Sequence, residues 1–393
     1  MCPVAFSRVA KKPGGLYDWA AKPAAPAKGI RLPGICRAIA SLAAIAVLAS
    51  AGPVGAQGLA IGVAAPLSGS SALLGRQVEA GATIAARTLG TEARVADDAC
   101  TAEGGAAAAR QFAGDKVAVV VGFLCTEAIE AALPILKDAG IPVITVGVRT
   151  ESLTDRRQKT GWPVFRLAPR GDDERNAAAA ILTRLWRDRL FAIVDDGTLY
   201  GRELAETVRN AAEQAALKPV FTDTYRPGMD NQIGLAGRLR KAGATDVFVG
   251  GDGSDVAILG RDAAKLEAGI AIAGGEALRA APGDVPYAEG TLMIALPEWA
   301  EDADAKALSD FSAAKVLAEG YALPAYAAVE VAWSAATRAG KAGLPVAEAL
   351  TGDDFATAIG PVRFDAKGDL TRNLYRAFRF QGGTFVPLPA EGQ

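Results

Sequence analysis

From Leu59 to Leu296 short apolar runs alternate with stretches of helical periodicity, a pattern that leads to βαβ units built on parallel sheet. The runs read as strands at 59–66, 93–97, 117–121, 142–146 and 164–167, with helices at 75–89, 102–114 and 126–139. A second series follows: helix 173–187, strand 190–194, helix 201–216, strand 219–225, helix 231–242, strand 246–249, helix 254–268, strand 270–273 and strand 290–296. Two successive series of similar length predict an α/β chain of two lobes, each a mostly parallel sheet flanked by helices. No Pro-, Gly- or Ser-rich linker separates them, so extended crossovers are expected near 168–171 and near Pro297. Beyond Pro297 the pattern turns helical. Leu308, Phe311 and Leu317 fall on one face, and Pro324 opens a helix in which Tyr326, Val329 and Trp333 recur at helical spacing. Both read as core packing. The tail, 360–365 with 368–370 and then 375–380, reads as strands joined by a tight turn.

The first sixty residues have a different character. Residues 1–37 carry seven cations (Arg8, Lys11, Lys12, Lys22, Lys28, Arg31 and Arg37) against one anion, Asp18. An apolar run, 38–50, and then Val54-Gly55-Ala56 come next. A basic segment, a short apolar run and small residues at −3 and −1 describe a secretory signal over residues 1–56, cleaved after Ala56. A membrane anchor is the competing reading, but the run falls short of the ~20 residues a spanning helix needs. Cys36 precedes the run instead of following it, which argues against a lipidated amino terminus.

Export alters the charge and the cysteine count. Of 42 cations and 44 anions, seven and one leave with the signal, so the mature net charge is about −8. An acidic chain without basic runs suits small-molecule or protein partners and not nucleic acid. Cys2 and Cys36 also leave, and Cys100 and Cys125 remain as one pair in an oxidising compartment. They read as a disulfide, or as two buried free thiols. The chain has no histidine, so the usual general base, the commonest metal ligand and every Ser-His or Cys-His dyad are missing.

Two motifs fail on inspection. Gly250-Gly251-Asp252-Gly253 lies between a strand and a helix, but Val256 stands where a dinucleotide loop needs its third glycine. Ser312-Ala-Ala-Lys315 matches S-x-x-K inside an amphipathic helix, without its companion motifs. Thr126 is more informative. A strand ending at Val121 and a short loop place it at the amino end of a helix, where free N–H groups and the dipole favour a carboxylate. It could also be an ordinary N-cap, and the two roles are compatible.

Six segments in register, Pro66-Leu-Ser-Gly69, Asp97-Asp-Ala-Cys100, Gly122-Phe-Leu-Cys-Thr126, 147–153, Tyr200-Gly201 and 360–369, resemble the periplasmic leucine/isoleucine/valine-binding proteins. These are type I solute-binding proteins of ABC importers, and the resemblance runs from Leu59 to Phe385. It implies the two-lobed type I fold with three crossovers, the third near 370–375. Lobe 1 would be 57–169 plus 298–372 and lobe 2 would be 170–297 plus 373–393. Carried onto matching positions, Thr126 and backbone groups around Gly147 and Val148 would hold an amino acid's carboxylate. Glu276 would pair with its ammonium, and Tyr200 would cover it from the second lobe. Gly274-Gly275, just past a strand, fit an open backbone at the cleft.

The chain also departs from those proteins. Arg149 stands where they have threonine, and Leu74 and the Asp252-Gly253 pair stand where they have aromatic residues against the ligand's side chain. Arg149 could bind a second carboxylate bidentately, or pair with Glu276 or Asp252. The expectation is therefore a periplasmic binding protein, a monomer without cofactor, metal or enzymatic activity. It would carry an amino acid or related small carboxylate to an ABC permease and its ATPase. The alternative is a ligand sensor of the same fold that signals to a receptor or regulator.

Overall fold

The structure, a computed structural model, describes residues 59–389. The expected signal, with Cys2 and Cys36, lies outside the described residues. Among those described, no helix is long and apolar enough to cross a membrane.

Five strands, β1 (Ala60–Ala65), β2 (Glu92–Asp97), β3 (Val119–Gly122), β4 (Val143–Thr145) and β5 (Val164–Arg166), pair in parallel in the order β2-β1-β3-β4-β5. β3, β4 and β5 are buried along their whole length, as parallel strands covered on both faces must be, whereas the edge strand β2 is largely accessible. Alternate residues of the strands serve two cores. Val120 and Val143 meet Phe112 and Ile129 of the helices Ala102–Asp115 and Thr126–Asp138. Val121 and Ile144 share the other core with Val78 and Val329 of the helices Ala72–Leu89 and Ala322–Ala342.

The chain then builds a second parallel series, β6 (Phe191–Asp195), β7 (Phe221–Thr224), β8 (Asp246–Gly250), β9 (Ala271–Gly274) and β10 (Leu292–Ala295). Helices Asp173–Leu185 and Leu199–Gln214 cover one face, and helices Ile233–Lys241 and Gly253–Lys265 cover the other. After β10 the chain returns to the first lobe, where helices Ala305–Ala314 and Ala322–Ala342 and the hairpin β11 (Asp354–Thr357)–β12 (Gly360–Arg363) join its core. It goes back once more to add antiparallel β13 (Arg376–Gln381) and β14 (Thr384–Pro387), giving the order β14-β13-β10-β9-β8-β6-β7. Three passages between two lobes result, so the expected α/β architecture with three crossovers is what the protein has.

Two details differ from expectation. Helix Ala305–Ala314 ends where Lys315 turns left-handed at φ 56°, so Leu317 lies beyond it and is 73% exposed instead of lining its apolar face. In the tail β12 pairs with β11, whose Asp354-Phe-Ala-Thr357 buries only Phe355 and gives little apolar signal, while Phe364 meets Leu370 in an isolated bridge.

Candidate ligand-binding cleft

Open parallel sheets leave room for a ligand beyond the carboxyl ends of their strands. In the first lobe that edge carries the turns after β2, β3 and β4. Gly122 ends β3 at φ 114°, and a Cβ there would lie 2.1 Å from the Ala64 carbonyl oxygen, so this turn requires glycine. It leads into Cys125, which is disulfide-bonded to Cys100 with Cα atoms 5.2 Å apart. The bond ties the β2 turn to the start of the next helix, and closing 25 positions of sequence contributes ~3 kcal/mol in the chain-entropy model. Thr126 is the first residue of that helix. The N-cap position belongs to Cys125, which makes no side-chain capping bond, so the N-cap role read for Thr126 does not hold. The Thr126 Oγ1 lies 2.8 Å from Thr150 Oγ1 instead.

Beyond β4, the Thr145 hydroxyl donates to the Phe123 carbonyl at 3.1 Å and accepts from the Val148 N–H at 3.2 Å. The Val148 carbonyl in turn accepts from Arg166 at 3.1 Å. Val148 is thus buried with both backbone groups bonded within the protein, and of the expected backbone pair only Gly147 faces the cavity described below. Arg166 also donates to the Thr150 carbonyl at 2.8 Å, so one buried guanidinium sets the path of the loop that presents Arg149.

Arg149 faces the second lobe. Its Nη1 donates to the Tyr375 hydroxyl at 3.0 Å and lies 3.6 Å from Glu276 Oε2, and the Tyr375 hydroxyl donates to that same oxygen at 2.8 Å. Of the two roles open to Arg149, this geometry contains the pairing with Glu276. Glu276 begins a short 3-10 turn after β9, and its N–H donates to Glu174 Oε1 at 2.7 Å. The Tyr200 hydroxyl donates to the same Glu174 oxygen at 2.6 Å and accepts from the Ala277 N–H at 3.4 Å. Both contacts depend on Gly275, where a Cβ would fall 2.4 Å from Glu174 Oε1 and 2.6 Å from the Tyr200 oxygen. Burial raises the Glu174 pKa, opposed by hydrogen bonds from Tyr200 and the Glu276 N–H. Burial and then Glu174 raise that of Tyr200, and burial and then Glu276 raise that of Tyr375, so both phenols remain donors at neutral pH. Burial works against the charged form of Arg149, but Tyr375 and Glu276 more than offset it and hold the pKa above the ordinary value.

A cavity of about 290 Å³ opens here, lined by Gly147, Arg149 and Glu276 together with Arg279, Trp299 and Tyr321. Of the sequence-predicted site residues, the structure brings Gly147, Arg149 and Glu276 to this wall, with Tyr200 joined through Glu174. Thr126 is bonded to Thr150, and neither of the two lines the cavity. Leu74, in the first turn of helix Ala72–Leu89, and Asp252, just before helix Gly253–Lys265, are both exposed and lie outside the cavity lining. Sequence reasoning missed Glu174, Tyr321 and Tyr375. The usable signal for two of these was proximity to an expected crossover, since Glu174 follows the first and Tyr375 ends the third.

The model of the periplasmic binding protein family matches residues 58–384, nearly the whole of what the structure describes. The chain belongs to this family. Members are solute-binding proteins that work with ABC transporters, and the chain falls within the Leu/Ile/Val-binding protein family by sequence. It is 30% identical over 350 residues to the Leu/Ile/Val-binding protein BraC3 of Rhizobium johnstonii, covering 85% of this chain and 95% of that one. Among solved structures, an ABC transporter substrate-binding protein of Desulfitobacterium hafniense in complex with Leu is similar with a TM-score of 0.60 at 20% identity, covering 84% of this chain and 99% of that one. A solute-binding protein of Rhodopseudomonas palustris BisB5 in complex with 3,4-dihydroxybenzoic acid is similar at 0.55 and 16% identity, covering 84% and 96%. At such identities these two speak for the fold.

Proposed function

We propose that the protein is exported by the signal at residues 1–56, captures an amino acid or related small carboxylate between its lobes in the periplasm, and as a monomer presents it to an ABC importer's permease and ATPase. The observation that supports this reading is the meeting of Arg149 and Glu276 across the cleft at 3.6 Å. A cation from one lobe and an anion from the other complement the carboxylate and ammonium of a zwitterion. Thr126 shares a hydrogen bond with Thr150, the residue after Arg149. With lobe 1 taken as 57–169 plus 298–372 and lobe 2 as 170–297 plus 373–393, the ligand's two ends are held by different lobes. Contacts of that kind shift an open–closed equilibrium toward closure.

A second reading rests on Trp299 and Tyr321, which set flat apolar surfaces in the same cavity as Arg149 and so suit an aromatic carboxylate. A thermal-shift screen of the mature protein against amino acids, dicarboxylates, aromatic acids and amides separates the two. A rise in melting temperature with amino acids is expected. A rise confined to aromatic acids would favour the second reading, and no rise with any class would overturn both.

A further inference from the structure

The Tyr375 hydroxyl stands between the two charges of the cleft. It accepts from Arg149 at 3.0 Å and donates to Glu276 at 2.8 Å. One oxygen thereby offers an acceptor to the guanidinium and a donor to the carboxylate, the two polarities that an amino-acid zwitterion offers with separate groups. Tyr375 is 6% exposed and its ring packs in one core with Ile294, Leu296 and Ala377, so the hydroxyl is held in place from behind. The backbone is held as well. The Tyr375 N–H donates to Asn373 Oδ1 at 2.9 Å, and Asn373 Nδ2 donates to the Asp173 carbonyl at 2.7 Å, one residue before Glu174.

We propose that Tyr375 is a specificity-determining residue of the cleft, its hydroxyl acting as an internal stand-in for a zwitterion that keeps Arg149 and Glu276 bridged until a ligand supplies both polarities. The inference rests on the amino-acid reading of the cleft. A ligand with a carboxylate and an ammonium replaces both bonds at once. A monocarboxylate replaces only the Arg149 partner and leaves Glu276 with the Tyr375 hydroxyl as its donor, so removing that hydroxyl strands the carboxylate.

Tyr375→Phe keeps the ring and removes the hydroxyl. Calorimetric titration with L-leucine and with 4-methylpentanoate, its counterpart without the ammonium, reads the discrimination. Spin labels at two exposed sites, Asp138→Cys in the first lobe and Glu213→Cys in the second, read the bridge with no ligand added. In Tyr375→Phe, leucine should bind up to about tenfold more tightly and 4-methylpentanoate about tenfold more weakly, and the inter-label distance should lengthen. Equal weakening of both probes, as lost packing alone would give, overturns the proposal, and so does unchanged discrimination. If 4-methylpentanoate binds neither form, leucine decides: tightening supports the proposal and weakening overturns it. If neither probe binds the wild type, the ligand reading fails for these probes while the bridge is still decided. A distance unchanged by Tyr375→Phe then overturns it and a longer one supports it.

Discussion

Two arginine–carboxylate pairs serve the same loop of the first lobe, and they are built in opposite ways. Arg166 and Asp369 have side chains 0% and 5% exposed, with Nε 2.8 Å from Oδ1. The remaining Arg166 nitrogens reach the Val148 and Thr150 carbonyls and the Thr154 hydroxyl. Arg149 and Glu276 are 43% and 24% exposed, 3.6 Å apart, and Arg149 bonds through Nη1 alone among the described residues. A buried ion pair is tolerated only when its remaining donors and acceptors are matched. The first pair meets that condition and is structural. The second is left open toward a cavity, and an incomplete set of bonds is what a ligand anchor needs.

The comparison breaks most readily at Asp369. Its Oδ2 also accepts from Thr154 and from Arg170, which lies between β5 and helix Asp173–Leu185. Asp369→Ala strands the wholly buried Arg166 guanidinium, while Arg170 keeps Asp155 and Asp172, and it should lower the unfolding free energy by about 3–5 kcal/mol. A urea transition at the wild-type midpoint would show that burial does not distinguish the pairs.

Asp98 sharpens the contrast, because it is a buried carboxylate with no cation. It is 0% exposed, its Oδ1 accepts from the Cys100 N–H at 2.9 Å, and its Oδ2 has no partner among the described residues. Burial, with Asp97 adding to it and the Cys100 bond opposing, pushes its pKa up to about 6. Between the unfolded value near 4 and this one, the native state binds the extra proton. Stability therefore falls as pH rises through that window and is level above it, by roughly 2–3 kcal/mol in all. Asp98→Asn retains the Oδ1 acceptor and should flatten this part of the pH–stability profile. Identical slopes in the two proteins would mean that Asp98 does not titrate there.

Much of the fold was legible because its signals are local. A run such as Val119-Val-Val-Gly122 between two helical periods has few other uses than a central parallel strand, and it became β3. The meeting of Arg149 and Glu276 joins two positions taken from the family resemblance, Arg149 as a departure from it and Glu276 as a matched position beside Gly274-Gly275. Glu174 sits in the first turn of a helix, where an acidic residue is favoured by the dipole anyway, and nothing local marks it as a neighbour of Glu276 about a hundred positions away. Tyr375 immediately precedes β13 and reads as core, which its ring is, and only its hydroxyl reaches Arg149 and Glu276. Leu74 and Asp252 show the converse. Matched position in the family put them at the ligand, and neither is among the lining of this cavity, which comes from segments beside the crossovers whose meeting no single motif records.

The smallest expected effect is the most telling about the second pair. Arg149→Met removes a charge whose side chain is 43% exposed and whose carboxylate partner is 3.6 Å away, and it keeps most of the aliphatic stem. Half-exposed pairs of this kind are screened by solvent and contribute ~0–1 kcal/mol, so the urea midpoint should scarcely move. Glu276 is not stranded, because it keeps the Tyr375 hydroxyl as donor. A drop as large as that expected for Asp369→Ala would make Arg149 a second structural arginine and remove the ground for reading it as an anchor. A near-native midpoint together with loss of the thermal-shift response would separate the two arginines by role: Arg166 shapes the loop, and Arg149 is what the loop holds out to the ligand.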